Sequence, residues 1–485
     1  MKTGMLIAAT GFAASLYAES TAQKPNVLFI AVDDLCTWIH EPGTDMEVIA
    51  PNFKRLMSEG VYFSNAHCAS PSCHPSRVAI MTGVSPLKSG ITQNPGKNIT
   101  RPSWRFSPVL EDAVTIPEFF KSQGYSVKGG GKIFHGVQYD AEDELDPADW
   151  DEFFPSKTQQ IPHQPVPPFD YFAKNKSEGR PAGHFDWTPL KISDEEMSDY
   201  KVVDWALNEL RQEKAAPFFL AVGFFRPHVP FQVPEKYYEL YPDEKISLPV
   251  LYPDDAVPAP AVITDQIIGK WGFDEYHWAL KTGNLKNALR GYLAGVTFFD
   301  TMLGRLLDGL RESQFADNTI IVLWGDNGYH LAEKERFEKF TLWKEATRIP
   351  FFIKAPETVA GKTCTKAVSL LDVYPTLVQL TGAAPVAGID GESLVPWLKN
   401  PDLYKQTPAV IAGPEPGSWA AVSEQYRYIH YFNGTEELYD ISVDPAEFYN
   451  LADQEKLFYV KEYFKNTVPR QIPAFILPKN ARPNG

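Results

Sequence analysis

Four cysteines in 485 residues, Cys36, Cys68, Cys73 and Cys364, are too few and too scattered for a disulfide scaffold, so crosslinks do not hold this fold together. Cations are scarce as well: 46 Lys and Arg against 61 Asp and Glu give a formal net charge of −15, which excludes a generic binder of nucleic acid or another polyanion. An acidic whole can still hold a locally basic site, because an anion feels the few cations around it rather than the sum. Past the first 22 residues, charge or proline interrupts every long apolar stretch within about 20 residues, so no membrane span is expected. Internal repeats and low-complexity segments are missing too. What remains is the composition of a folded globular protein, 44% hydrophobic and 22% charged. At about 150 residues per domain, the length allows two or three units, or one large α/β domain with a small appendage.

The N-terminus reads as an address. Lys2 precedes the apolar stretch Met5 to Leu16 and the small residues Ser20-Thr21-Ala22, the layout of an export signal and not of a helix with a polar face. Residues 1–22 are therefore expected to be a signal peptide, and the mature protein to be soluble and exported, periplasmic or secreted. No cysteine follows closely enough for a lipid anchor.

Three continuous apolar runs have the pattern of strands buried on both faces: Asn26 to Val32, Pro217 to Gly223 and Thr319 to Trp324. Each ends in polar groups, respectively Asp33-Asp34, Arg226-Pro227-His228 and Asp326-Asn327. Helical patterns lie between them at Pro51 to Met57, Thr115 to Phe120 and Leu293 to Leu310, and another spans Ala367 to Gly382. This alternation predicts an α/β fold, a mostly parallel sheet with helices on both faces, whose strand ends share the edge where ligands bind. Residues 140–192 and 237–271 read as long loops over that edge. The tail alternates from Ala420 to Leu438 and turns at Asn433-Gly434, which predicts a small antiparallel sheet followed by a terminal helix. The expected division is a catalytic domain over 23–400 and a C-terminal subdomain over 401–485.

Two adjacent carboxylates at a buried strand end repel one another and lose hydration, which a divalent cation would relieve. With Asp326 and Asn327, the pair Asp33 and Asp34 forms an all-oxygen set suited to Ca²⁺ or Mg²⁺ and poorly suited to zinc, and calcium tolerates irregular sets better. The bland alternative is a strand-end loop with solvated acids. Cys73 lies where a loop runs into a helix, beside Arg77, which predicts a lowered thiol pKa. A plain buried cysteine and a nucleophile paired with His74 are the other readings.

The string Cys73-His74-Pro75-Ser76-Arg77 resembles the signature of the type I sulfatases, in which the cysteine is oxidised to formylglycine. Further matches follow in order: Asp33-Asp34, Gly131-Lys132-Ile133-Phe134-His135, Pro227-His228-Val229-Pro230, Asp326-Asn327-Gly328, Lys339, Glu345 to Pro350, Leu438 to Ile441, Asp444-Pro445 and Asn450-Leu451. The spacing of Lys132 and His135 and the run into Phe231 are most similar to the iduronate-2-sulfatase subgroup. Asn327 departs from it, since the lysosomal uronate enzyme has His there.

The resemblance implies an alkaline-phosphatase-like fold and a sulfated saccharide substrate, with a hexuronate 2-O-sulfate of glycosaminoglycan or a related polysaccharide as the expected target. It also implies maturation by a formylglycine-generating or anaerobic sulfatase-maturating enzyme. By carry-over, Asp33, Asp34, residue 73, Asp326 and Asn327 hold the cation. One hydroxyl of the residue-73 hydrate attacks sulfur with help from Asp326, and His135 accepts the proton of the other as the aldehyde reforms. His228 and Lys339 bind the sulfate and stabilise the leaving oxygen, while Lys132 and Arg77 hold the hydrate. Arg180, His184, Arg226 and His277 are candidates to touch sugar; His67, His74 and His330 are structural or adjacent to substrate; Arg348 is an ion-pair residue; Cys36 and Cys68 are free thiols. The competing readings are a phosphomonoester or phosphonate hydrolase on the same scaffold, and a carbohydrate-binding protein with unmodified Cys73.

Overall fold

A computed structural model describes residues 23–41, 43–94, 102–135, 146–155, 185–250 and 272–468. Asn26–Val32 (β1) is buried along its whole length. Leu28, Ile30 and Val32 face one core while Val27, Phe29 and Ala31 face another, the period of two that a strand imposes. With it, Val61–Phe63 (β2), Ser126–Gly131 (β3), Glu152–Phe154 (β4), Phe218–Phe224 (β5), Thr319–Gly325 (β6), Phe351–Lys354 (β7) and Lys362–Cys364 (β8) form an eight-stranded sheet. Its order is β8-β2-β7-β6-β1-β5-β3-β4. Only β7 runs against its neighbours β6 and β2, and the other pairs are parallel.

Amphipathic helices cover both faces, as a two-sided apolar sheet requires. Pro51–Met57 (α1), Ser198–Arg211 (α4) and the long Leu285–Glu312 (α5) pack on the core that holds Leu28. Cys73–Thr82 (α2), Ile116–Ser122 (α3) and Val373–Leu380 (α6) pack on the core that holds Phe29. Among these, α3 starts at a capping box, Thr115 with Glu118, with proline in the first turn.

The small sheet follows. Ala409–Ala412 (β9), Trp419–Val422 (β10), Tyr426–His430 (β11) and Glu436–Asp440 (β12) pair antiparallel in sequence order, and Gly434 takes the left-handed conformation (φ 84°) that the β11–β12 turn demands. The terminal helix Phe458–Thr467 (α7) docks by stacking Phe464 on Tyr428, ring centroids 5.9 Å apart.

Three sequence expectations need correction. The edge strand β4 lies inside a stretch read as loop, because three residues are too short to show alternation. Residues 367–382 are not one helix: a short strand, Val368–Ser369, and a 3-10 turn, Leu370–Asp372, precede α6. Helix α5 starts eight residues before Leu293, because polar positions dilute its first turns. No described helix is long and apolar enough to cross a membrane. Residues 1–22 lie outside the described residues.

Candidate active site

Because β1, β3, β5 and β6 are parallel, their C-terminal ends share one edge. They deliver Asp33-Asp34, Lys132, His228 and Asp326-Asn327. Helix α2 meets this edge with its first turn, and every residue of it is buried. Cys73 opens the helix, and Arg77 lies one turn on.

Arg77 ties the strand ends together. Its Nε donates to Asp326 Oδ2 at 2.7 Å, one terminal nitrogen reaches Asp33 Oδ1 at 3.3 Å, and the other donates to the carbonyls of Lys132 and Ile133. Asp326 Oδ1 accepts the backbone N–H of Asp34 at 3.0 Å and that of Asn327 at 2.9 Å. Both Asp326 oxygens are thus engaged by protein donors. Asp34 itself has φ 57°, a left-handed conformation that a short Asp side chain tolerates.

Lys132 and Lys339 meet the carboxylates from opposite sequence neighbourhoods. Lys132 Nζ pairs with Asp33 Oδ2, and Lys339 Nζ pairs with Asp34 Oδ1. Lys339 Nζ also lies 2.6 Å from Cys73 Sγ. Burial opposes a charged Lys339, but Asp34 and the neighbouring anions hold its pKa above the usual lysine range. Burial likewise tends to raise Asp33, yet Lys132, His228, Arg77 and Lys339 together keep it well below the usual carboxylate range. Asp34 goes the other way: burial outweighs Lys339, and with Asp33 and Asp326 adding like charge its pKa is pushed up to about 6.

A pair of glycines sets the position of Lys132. Gly131 and Gly223 are register partners on β3 and β5. Gly131 has φ 73°, and a Cβ there would stand 2.0 Å from the Gly223 carbonyl oxygen; a Cβ at Gly223 would stand 2.3 Å from the Lys132 carbonyl. Gly223→Ala is therefore expected to push Lys132 off Asp33 and to lower turnover about 100-fold, since misplacement of a reacting group by about 1 Å costs that much. Steady-state kinetics on a sulfate ester checks this, with thermal unfolding as the folding control.

His228 Nδ1 donates to the Val229 carbonyl at 2.6 Å, which fixes the tautomer and leaves Nε2 facing the carboxylates, 3.5 Å from Asp34 Oδ2 and 3.9 Å from Asp33 Oδ2. Burial keeps this imidazole neutral despite Asp33. His135 packs its ring 5.9 Å from that of His74, the residue after Cys73. Burial, then Lys132, depress its pKa, and its Nδ1 is buried with no hydrogen-bond partner among the described residues.

The expected acidic thiol is not found. Burial pushes the Cys73 pKa up, and the carboxylates Asp33 and Asp326 add to this against Lys339 and Lys132. The helix N-terminus and Arg77 do not win, because Arg77 is spent on Asp326 and Asp33. A plain thiolate nucleophile is thereby disfavoured.

The donor set fits a hard cation. Asp34 Oδ2 and Asn327 Oδ1 are both buried with no hydrogen-bond partner among the described residues, and His228 presents a lone pair to the first of them. Ligand atoms of Asp33, Asp34, Cys73 and His228 all lie within 4.8 Å of one another. Asn327 Nδ2 donates to Asp34 Oδ1 at 2.7 Å, so its oxygen is the free end of the amide. Three carboxylates (Asp33, Asp34, Asp326) already face three cations (Arg77, Lys132, Lys339). A divalent ion would therefore leave the site net positive, as binding of an anionic ester requires.

Of the other sequence candidates, Arg226 is not available to sugar. It is buried, its Nε donates to the Gln232 carbonyl at 2.9 Å and a terminal nitrogen to the His228 carbonyl at 3.0 Å, so it shapes the His228 loop. Asp199 on α4 completes that loop by accepting the N–H groups of Phe225 and Arg226 at 3.0 and 2.9 Å; a polar residue at a helix start gave no hint of this in the sequence. His277 is exposed on the outer face of the helix Phe273–Lys281, whose other face is buried, and its Nδ1 donates to the Phe273 carbonyl at 2.9 Å. Arg348 pairs with Glu41 at 2.7 Å, and Cys36 and Cys68 are free and buried. Arg180 and His184 lie outside the described residues.

The sulfatase family model matches residues 25–383, and the model for the C-terminal part of N-sulphoglucosamine sulphohydrolase matches residues 332–472. A sulfatase of Formosa agariphila is 38% identical, over 93% of this chain and 88% of that one. Iduronate 2-sulfatase of Homo sapiens is 29% identical, over 75% and 70% of the two chains. Among solved structures, a phosphonate monoester hydrolase of Agrobacterium radiobacter superposes with a TM-score of 0.71 at 19% identity, covering 91% of this chain and 94% of that one. A protein in complex with its substrate D-glucosamine-2-N,6-O-disulfate gives 0.67 at 19%, covering 92% and 96%. These two likenesses show the alkaline-phosphatase-like fold. The 38% relative and a family model that runs through every strand end described above settle the assignment: the chain belongs to the sulfatase family and is a sulfatase.

Proposed function

We propose that this sulfatase removes an O-sulfate from a sugar, the 2-O-sulfate of a hexuronate in glycosaminoglycan or a related sulfated polysaccharide, with residue 73 converted to formylglycine. The observation that carries the reading is the Lys339 ammonium at 2.6 Å from Cys73 Sγ, with Lys132 and Arg77 behind it on the carboxylates. A sulfate monoester is an anion that repels nucleophiles, so a catalyst must set cations beside the attacking atom. The likeness to human iduronate 2-sulfatase and to a protein whose substrate is a sulfated glucosamine supports a saccharide.

In this reading Asp33, Asp34, Asp326 and Asn327 hold Ca²⁺, with Mg²⁺ the alternative for the same oxygen donors. When bound, the ion supplies positive charge that polarises the sulfuryl group and acidifies the nucleophile. Lys339 binds the sulfuryl oxygens; His228 joins it and stabilises the leaving alcohol once the charge of the bound ester has drawn a proton onto Nε2, and His135, kept neutral by burial, accepts the proton released as the aldehyde reforms. Maturation requires a formylglycine-generating or anaerobic maturating enzyme, and residues 1–22 direct export to the periplasm or beyond.

The test is a panel of sulfated disaccharides that differ only in sulfate position, alongside a fluorogenic sulfate ester and its phosphate counterpart, with protein coexpressed with a maturating enzyme. The 2-O-sulfated hexuronate is expected to turn over fastest and the phosphate slowest. Preference for another position overturns the specificity, and a faster phosphate overturns the sulfuryl reading.

A further inference from the structure

Lys339 sits in a strained loop. It is flanked by Glu338 (φ 66°) and Phe340 (φ 74°), and Ala332 (φ 79°), Lys334 (φ 52°) and Glu335 (φ 57°) precede them. Left-handed backbone at non-glycine residues is unfavourable and persists only where surrounding structure enforces it. The loop's own ladder is slight, a two-stranded pairing of His330–Leu331 with Phe337–Glu338. Outside it, the Phe337 N–H donates to the Gly272 carbonyl at 2.9 Å, the Phe340 N–H to the Pro71 carbonyl at 3.1 Å and Trp38 Nε1 to Glu333 at 2.7 Å.

The C-terminal subdomain adds the buried side-chain anchors. Lys334, buried, donates from Nζ to the carbonyls of Ala446 and Glu447, each at 2.8 Å. Its ammonium lies among the rings of Phe448 (5.2 Å), Trp343 (5.4 Å) and Tyr439 (6.0 Å), a cage that favours a cation. Glu447 in turn forms a buried ion pair with Arg427 of β11 and accepts the backbone N–H of Lys344 at 3.1 Å. Arg427 donates to the Leu342 carbonyl at 3.2 Å and to Thr347 Oγ1 at 3.0 Å, while Trp343 Nε1 donates to Glu437 of β12 at 2.8 Å. Both sides of Lys339 are thus fastened to the small sheet.

We propose that the C-terminal subdomain positions Lys339, and that Lys334 is the positioning residue that transmits its grip. This rests on the reading of Lys339 as a sulfuryl-binding group. An ammonium held by two carbonyls and three rings fixes the backbone at 334, and the short hairpin carries that constraint to 338–340. The side chain of Lys339 then reaches both Asp34 and residue 73 with little freedom left to lose on substrate binding.

A double-mutant cycle on the full-length matured protein tests this. Lys334→Met keeps length and removes the charge; it is expected to lower kcat/KM on a fluorogenic sulfate ester by 10- to 100-fold, with unchanged aldehyde content at residue 73. In a Lys339→Ala background the same change is expected to have less than a twofold effect, since the lysine it positions is gone. Phe448→Leu, which opens one wall of the cage at a partly exposed position, is expected to act in the same direction with a smaller loss, and serves where Lys334→Met does not fold. An undiminished loss in the Lys339→Ala background overturns the proposal, as does full activity in both variants. If Lys339→Ala alone leaves kcat/KM unchanged, it is the sulfuryl-binding reading that fails.

Discussion

Cys73→Ala is expected to abolish sulfate-ester turnover, with a loss of about 10⁴-fold or more, while the protein still folds. Removing the nucleophile of a covalent mechanism typically costs this much or more, because the remaining groups are arranged to serve a bond that no longer forms. The change deletes one sulfur from a buried helix start, so the cost in stability is about 1 kcal/mol. Turnover measured beside thermal unfolding separates the two effects. Residual activity within 100-fold of the wild type would mean that residue 73 does not carry the reaction.

Asp34→Asn has the second largest expected effect, a loss of about 10³-fold in turnover, because an oxygen donor set for a hard cation loses one of its three charges. Its stability signature is more specific. Asp34 has its pKa raised from 3.8 to about 6 in the fold. A raised carboxylate pKa means that the folded state binds more protons, so the contribution is full below the unfolded value and is lost as pH rises through the folded one. Ion-free wild type is therefore expected to lose stability as pH rises from 3.8 to about 6, and Asp34→Asn to lack that part of the decline. In the proposed reading, calcium reverses the order. At a hundredfold excess over Kd it should stabilise wild type by about 2.7 kcal/mol and the variant by far less. Urea titrations at several pH values, with calcium and with chelator, read both effects.

The strand ends were legible because two physical signals coincide there. Continuous apolar runs mark strands covered on both faces, and polar groups directly after them must lie at a sheet edge, which located Asp33-Asp34, His228 and Asp326-Asn327. The strand that delivers Lys132 carries no such signal. Ser126–Gly131 is half glycine because Gly129 lies against Trp150 and Phe153, Gly130 against Trp205 and Gly131 against the Gly223 carbonyl of β5, approaches that only the folded chain reveals. The thiol pKa does not follow from the sequence for a related reason: proximity of Arg77 along the helix says nothing of whether that cation is free. In the structure it is saturated by Asp326, Asp33 and two carbonyls, so desolvation decides. Long-range tethers such as Lys334 on the carbonyls of Ala446 and Glu447 cross more than 100 positions and involve backbone acceptors, which no side-chain pattern encodes.

Burial and the neighbouring carboxylates push the Cys73 thiol up, which supports the proposal that residue 73 works as formylglycine and not as a thiolate. Peptide mass spectrometry of the segment containing residue 73, on preparations matured to different extents and assayed in parallel, tests this directly. The predicted result is an aldehyde in place of CH₂SH, with turnover proportional to the converted fraction. Equal turnover from a preparation whose residue 73 is wholly unmodified cysteine would contradict it.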